Sequence, residues 1–214
     1  VQSAAGRAAA QILLTLAVFA AAGAWPAPDV NEAVYLTKAR HRADSTWCRG
    51  DFFLETPDAH GVFFAAFGPL AAAVPLDTAA WIGRGLGWLA LAVGFWHAIV
   101  PLVAPAWARV VAAALFSVAV RFTHAAGEWV IGGCEAKVFA WGLVMGGIGE
   151  AVRGRAGPAW CLCGVAAAIH PIVGGRAMIA IALPVGATNT PSAIMARDSS
   201  GSGVMPPRGR PWTG

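Results

Sequence analysis

The sequence predicts an all-α fold: a polytopic transmembrane helix bundle with five or six membrane-embedded helices and an interfacial helical loop after the first span. Three observations point there. Of the 214 residues, 57% are apolar and only 12% are charged, against about a quarter charged in an ordinary soluble domain. Ten of the 26 charged residues fall between Asp29 and Asp58, leaving 16 for the other 184 positions, too few to cover a surface in water. Between the charges run apolar stretches of helical length, and no segment alternates as a strand would. This composition excludes a disordered chain, a disulfide-stapled miniprotein and a typical cytosolic enzyme.

The first span is Ala8–Pro28, 21 residues and long enough to cross a hydrocarbon core at about 1.5 Å per residue. A cleavable signal peptide is the rival reading, because Arg7 precedes the apolar stretch; the spans that follow favour a retained helix. His60–Leu76 is shorter and rich in Phe and Ala, and Gly85–Ala108 is the clearest span, with Trp88, Trp96 and Trp107 along it. Val110–Val120, 11 residues between Arg109 and Arg121, is marginal, and Val138–Gly149 reaches full length only by including Gly132–Lys137. Gly157–Gly175 reads as one span carrying a His-Pro, and Arg176–Gly186 begins like another but stops after Pro184. Residues 1–186 are therefore the membrane region, with the polar loop 29–58 inside it. Residues 187–214, rich in Gly, Pro, Ser, Thr and Arg without apolar periodicity, are expected to be a disordered tail. That ending, and a first residue that is Val, read as a processed, truncated or frameshifted chain.

Punctuation fits these boundaries. Asp29 with Glu32 forms a capping-box pattern, Thr56-Pro57 reads as N-cap and first helical residue, and Asp77-Thr78 starts the third long helix. Gly83/Gly87 and Gly142/Gly146 are small-xxx-small pairs that let helices approach closely.

The net charge of +4 invites a nucleic-acid reading, but no basic run tracks a phosphate backbone and only two lysines are present, Lys38 and Lys137. Membrane lipids are the expected partners, with arginines beside anionic headgroups. Cys48, Cys134, Cys161 and Cys163 have no metal-ligand spacing, so no metal site is expected among them and free thiols are.

The candidate functional residues lie in two places. Asp29 and Glu32 stand one helical turn apart at the exit of the first span, where carboxylates serve as general base or metal ligands, or cap a helix and do nothing else. Lys38, Arg40, His41 and Arg42 either clamp a phosphate or face lipid headgroups, and Trp47, Phe52 and Phe53 belong at an interface. The second place is Gly132-Gly133-Cys134-Glu135-Ala136-Lys137. Charges at membrane depth are expensive and are usually functional or paired. On a helix Glu135 and Lys137 face different sides, so Glu128, Arg121 and Arg84 are the candidate partners. His170, before Pro171 in the last good span, is either a hydrogen-bonded packing residue or a substrate contact.

The segment NEAVYLTKARHRADSTWCRGDFFLETPDAH, with GGCEAKVFAW and HPIVGG, resembles an uncharacterised family of bacterial multi-span membrane proteins, which in turn resembles the GT-C type of integral-membrane glycosyltransferase. The likeness runs from Ile12 to Gly175. It implies a catalytic carboxylate in the first extracytoplasmic loop, at Asp29 or Glu32, a polyprenyl-phosphate-linked sugar as donor, and a divalent cation. Lys38 and Arg42 would then meet donor phosphate, with Glu135, Lys137 and His170 as further substrate contacts. Such enzymes have many more spans than the six or so read here. The likeness requires loop 29–58 outside the cytoplasm, with Val110–Val120 re-entrant. The count of Lys38, Arg40, Arg42 and Arg49 against Arg7 puts that loop inside. The competing functions are a transporter with Glu135, Lys137 and His170 lining a polar path, and a non-catalytic scaffold or remnant of a longer enzyme.

Overall fold

A computed structural model describes residues 3–29, 31–123 and 130–188, the last six by backbone alone. The described residues are helical with no strand: α1 (Ala4–Gly23), α2 (Glu32–Ala43), α3 (Phe52–Glu55), α4 (Gly61–Ala73), α5 (Leu76–Ile99), α6 (Ala106–Thr123), α7 (Ala136–Val152), α8 (Ala156–Ile169) and α9 (Pro171–Thr188). The chain divides into two units, 1–181 and 182–214, and of the second only the end of α9 is described. Apart from its first two residues, the predicted tail 187–214 lies outside the described residues.

Three helices, α1, α5 and α6, are long and apolar enough to cross a membrane. Their outer faces carry Leu13, Leu14, Val93, Trp107, Leu115 and Phe122, all exposed, an arrangement suited to lipid and not to water. Val110–Val120 proves to be the middle of α6, which at 18 residues spans about 27 Å. The two arginines that made the run look short lie towards its ends. Arg109 donates to Gln11 near the start of α1 at 2.9 Å, and the Arg121 guanidinium lies 4.9 Å from the Trp25 ring beyond the other end of α1. So α6 lies alongside α1 from Gln11 to beyond its end and is long enough to cross a membrane, where the sequence made it marginal.

The centre of the unit is the parallel pair α5 and α7. Gly83 faces Cys134, Gly87 faces Val138, Gly94 meets the Gly142 carbonyl, and Gly149 meets His97, a register maintained along both helices. A Cβ on Gly142 would stand 2.8 Å from the Ala90 carbonyl oxygen, so Gly83, Gly87 and Gly142 serve this interface and permit close packing, whereas Gly146 faces Leu162 of α8. Against it α1 packs antiparallel through Phe19 on Phe95, ring centroids 5.7 Å apart, and α8 packs on the opposite face of α7 through Cys163 beside Gly147. The short α2 and α4 lie together on Tyr35, Leu36, Ala39, Phe63 and Phe64, at the end of the bundle where α5 and α7 begin.

Several boundaries move. Thr56-Pro57 does not open a helix: Thr56 ends the unforeseen α3, which Asp51 caps by accepting from Leu54 N at 3.0 Å, and α4 begins after His60. The third long helix starts at Leu76, with Asp77 in its first turn, and ends at Ile99, so Gly85–Ala108 is not one span and Trp107 belongs to α6. Gly157–Gly175 is not one span. Pro171 lacks an N–H and disfavours helical backbone at the residue before it, and His170 is extended (φ −141°, ψ 98°), dividing α8 from α9. Helix α9 continues past Pro184 to Thr188 instead of stopping there.

The α5–α7 contact makes a paired prediction. Gly94→Ala must drive its methyl into the Gly142 carbonyl and should destabilise the protein by about 1–3 kcal/mol. Gly85→Ala meets nothing within 4 Å and should raise stability by up to about 1 kcal/mol through helix propensity. Thermal melts in detergent that rank the two the other way would refute this packing.

Candidate functional site

Glu32 and Arg84 form the most buried ion pair, each fully inaccessible. Arg84 Nε donates to Glu32 Oε1 at 2.7 Å and Nη2 to Oε2 at 2.5 Å, a two-pronged contact. Arg84 Nη1 and Nη2 also donate to the carbonyls of Trp25 and Pro26. The Glu32 oxygens accept two more bonds, from Asp29 N at 2.8 Å and Cys134 N at 2.6 Å. Burial pushes the Glu32 carboxyl up, but Arg84 and the two amides outweigh it and hold the pKa below the ordinary glutamate value. The Asp29 bond spans the spacing of the foreseen capping box, but Asn31, not Asp29, is the N-cap of α2 and makes no side-chain cap bond. Gly133 explains its motif: a Cβ there would come 2.5 Å from Glu32 Cγ, so only glycine lets the loop close over the carboxylate.

Next to this pair, Glu135 and Lys137 pair with each other at 3.5 Å, contrary to the expectation that they face apart. The physical reason is that Glu135 is the N-cap of α7, with extended backbone, and not a residue on its surface. Of the foreseen partners, Arg84 is taken by Glu32 and Glu128 lies outside the described residues. His170 acts as a hinge cap: its N–H donates to Ala166 O as α8 ends, and its Nδ1 accepts from Val173 N as α9 begins. Its ring lies 4.8 Å from that of His60.

A second polar group grows from α2 and the loop before α4. Lys38, itself buried, donates to Asp58 Oδ2 at 3.2 Å and to Thr56 O at 3.3 Å, and lies over the Phe53 ring. Asp58 Oδ1 also meets His60 Nδ1 at 2.5 Å. Partial burial pushes the Asp58 carboxyl up, yet His60 and Lys38 together hold it below the usual aspartate range. Sequence reading left this Asp58–His60 pair out; the Asp-x-His spacing was its only local signal.

Beside this group opens a cleft of about 470 Å³, lined on one side by Lys38, His41, Arg42, Ser45 and Arg49 and on the other by Glu55, Thr56, Asp58 and Phe64. Glu55 is engaged with Gly50 N at 2.8 Å. Arg42 and Arg49 are exposed, and neither has an acidic partner among the described residues. Phe52 on α3 is 87% exposed and Phe53 is half exposed beside it. Of the sequence candidates, Lys38 and Arg42 line this cleft, whereas Asp29, Glu32, Glu135, Lys137 and His170 do not. Among the described residues no group of three or more His, Cys, Asp or Glu could hold a metal ion, so these side chains do not fit the divalent cation that the likeness implies.

No family model, curated protein or solved structure matches this chain.

Removing one partner of a buried ion pair strands the other and costs about 3–5 kcal/mol. Glu32→Ala and Arg84→Ala should each lower the melting temperature strongly, and the double variant should lose much less than the sum, as a double-mutant cycle in detergent would show. Because the Glu32 pKa is depressed on folding, its contribution is complete above the unfolded value of about 4.3 and is lost as pH falls through the lower folded value. Glu32→Gln should flatten that part of the acid melting profile; an unchanged profile would show that Glu32 is not held as an anion.

Proposed function

We propose that the chain is a multi-pass protein of the cell membrane whose cleft holds the phosphate of a lipid-linked substrate, of the polyprenyl-phosphate sugar class that the likeness to GT-C type glycosyltransferases implies. One observation carries this reading: Arg42 and Arg49, without acidic partners among the described residues, line one cleft. A guanidinium fork suits phosphate oxygens, and the charge-assisted bonds it makes are about twice as strong as neutral ones. The cleft volume falls in the range of small-molecule sites. The exposed Phe52 and Phe53 suit an interfacial position, where a lipid phosphate lies while its tail stays in the bilayer.

The bundle carries basic residues at both ends. Arg109, Arg153 and Arg155 gather with Arg7 at the end away from the cleft: Arg109 reaches Gln11, and Arg153 donates to the His97 carbonyl where α5 ends. Basic residues in short connections favour the cytoplasm, but the cleft end carries Lys38, Arg40, Arg42 and Arg49, so the charges set no direction and a cleft outside the cytoplasm is what the likeness requires. A second reading, a non-catalytic scaffold, is favoured by the complete engagement of Glu32 in structural bonds.

Full-length protein in nanodiscs should bind polyprenyl phosphate, followed by its intrinsic tryptophan fluorescence. Arg42→Ala/Arg49→Ala should weaken that binding at least about tenfold, because each hydrogen bond to a charged group contributes about 1.5–3 kcal/mol, and should leave the melting temperature unchanged. Equal binding by the double variant, or none by the unaltered protein, would leave the scaffold reading.

A further inference from the structure

Sequence and likeness placed the base at Asp29 or Glu32, and neither lines the cleft. The cleft has its own proton acceptor. The ring of His41 is fixed by Nδ1, 2.7 Å from the Trp47 carbonyl oxygen. A carbonyl only accepts, so Nδ1 carries the proton and the neutral ring keeps its lone pair on Nε2. The carbonyl itself is held in place. Trp47 N donates to Asp44 O at 3.1 Å, Asp44 Oδ1 accepts from Thr46 N and Oγ1, and the Arg40 guanidinium lies 4.8 Å from the Trp47 ring. Cys48 and Gly50, both at positive φ, turn the chain back beneath it. The two carboxylates that line the cleft are less suited to the task. Glu55 accepts from Gly50 N, and Asp58 is kept anionic and weakly basic by Lys38 and His60.

We propose that His41 is the general base of this cleft, taking the proton from an acceptor hydroxyl through Nε2 while Arg42 and Arg49 receive the leaving polyprenyl phosphate. The inference rests on the phosphate-lipid reading above. In the step, the acceptor O–H proton passes to Nε2 and the acceptor oxygen forms a bond to the anomeric carbon of the sugar. The bond from that carbon to the phosphate oxygen breaks, and its electron pair leaves with the polyprenyl phosphate. The added negative charge falls beside the two arginines, the displacement inverts the anomeric centre, and the proton on Nε2 returns to water. No redox partner is needed.

The test uses full-length protein in vesicles with a polyprenyl-phosphate-linked hexose labelled in the sugar. Loss of label from the lipid is followed from pH 5 to 9, beside polyprenyl phosphate binding and a melting curve. The unaltered protein should release label more slowly at the acid end of this range, an acid limb, because a protonated Nε2 cannot take the acceptor's proton. His41→Gln, whose amide N–H can still reach the Trp47 carbonyl, should bind polyprenyl phosphate within about twofold. Its release should fall at least about 100-fold and lose the acid limb; His41→Asn serves if the Gln variant melts early. Release and acid limb retained by these variants would overturn the proposal, as would an unaltered protein that binds polyprenyl phosphate but releases no label at any pH. Failure to bind polyprenyl phosphate at all would overturn the phosphate-lipid reading and this inference with it.

Discussion

A buried guanidinium joined to a buried carboxylate ties one end of this bundle together. Arg84 of α5 reaches the carbonyls of Trp25 and Pro26 after α1, and the Glu32 carboxylate at the start of α2 reaches the amides of Asp29 and of Cys134 before α7. Four separate stretches of chain thus depend on one pair. Desolvating both charges costs several kcal/mol per ion, and their mutual attraction offsets this only where the remaining polar atoms are also satisfied. Here they are. An apolar pair of similar size could fill the space, but it would leave the Trp25 carbonyl and the Asp29 and Cys134 amides without partners, each at a cost of about 1–3 kcal/mol.

The rest of the molecule is organised about that fixed end. With α5 set by Arg84, glycines at 83, 87, 94, 142 and 149 allow α7 to lie against it from end to end. The far end is closed by a second polar knot, where Glu150 meets His97 at 2.6 Å and Arg155 at 2.9 Å. At the first end, α2 emerges with its N-terminus immobilised and its outer half free to build the cleft. The structural and chemical tasks of the polar segment are therefore divided along a single helix: Glu32 near its start serves packing, and His41 and Arg42 two to three turns further on face the cleft.

Apolar runs bounded by charge located α1 and α7, because hydrophobicity decides such segments, but Gly85–Ala108 joined the second half of α5 to the start of α6. Boundaries were misplaced where hydropathy and backbone chemistry disagree. Gly157–Gly175 is apolar throughout, yet Pro171 breaks it, and α6 was cut short by two arginines whose long side chains reach past the ends of the apolar run. The local half of the Glu32 site, its bond to Asp29, could be read from a three-residue spacing. The other half could not, since Arg84 lies 52 positions away and Cys134 lies 102 away. Glu135 and Lys137 were assigned to different sides because a helix was assumed at a residue that is in fact its extended cap. Lys38, His41 and Arg42 were visible as a basic cluster, but the carbonyl that fixes the proton on His41 depends on a turn no pattern announced.

Amide hydrogen exchange tests the central pair most directly. Asp29 and Cys134 lie outside the helices, yet their N–H groups both donate to the buried Glu32 carboxylate. In detergent or nanodiscs these two amides should exchange as slowly as those of the core of α5, and both should lose protection together in Glu32→Ala while the amides of α6 are unaffected. Fast exchange at Asp29 and Cys134 in the unaltered protein, at the rate of ordinary loop amides, would contradict the account.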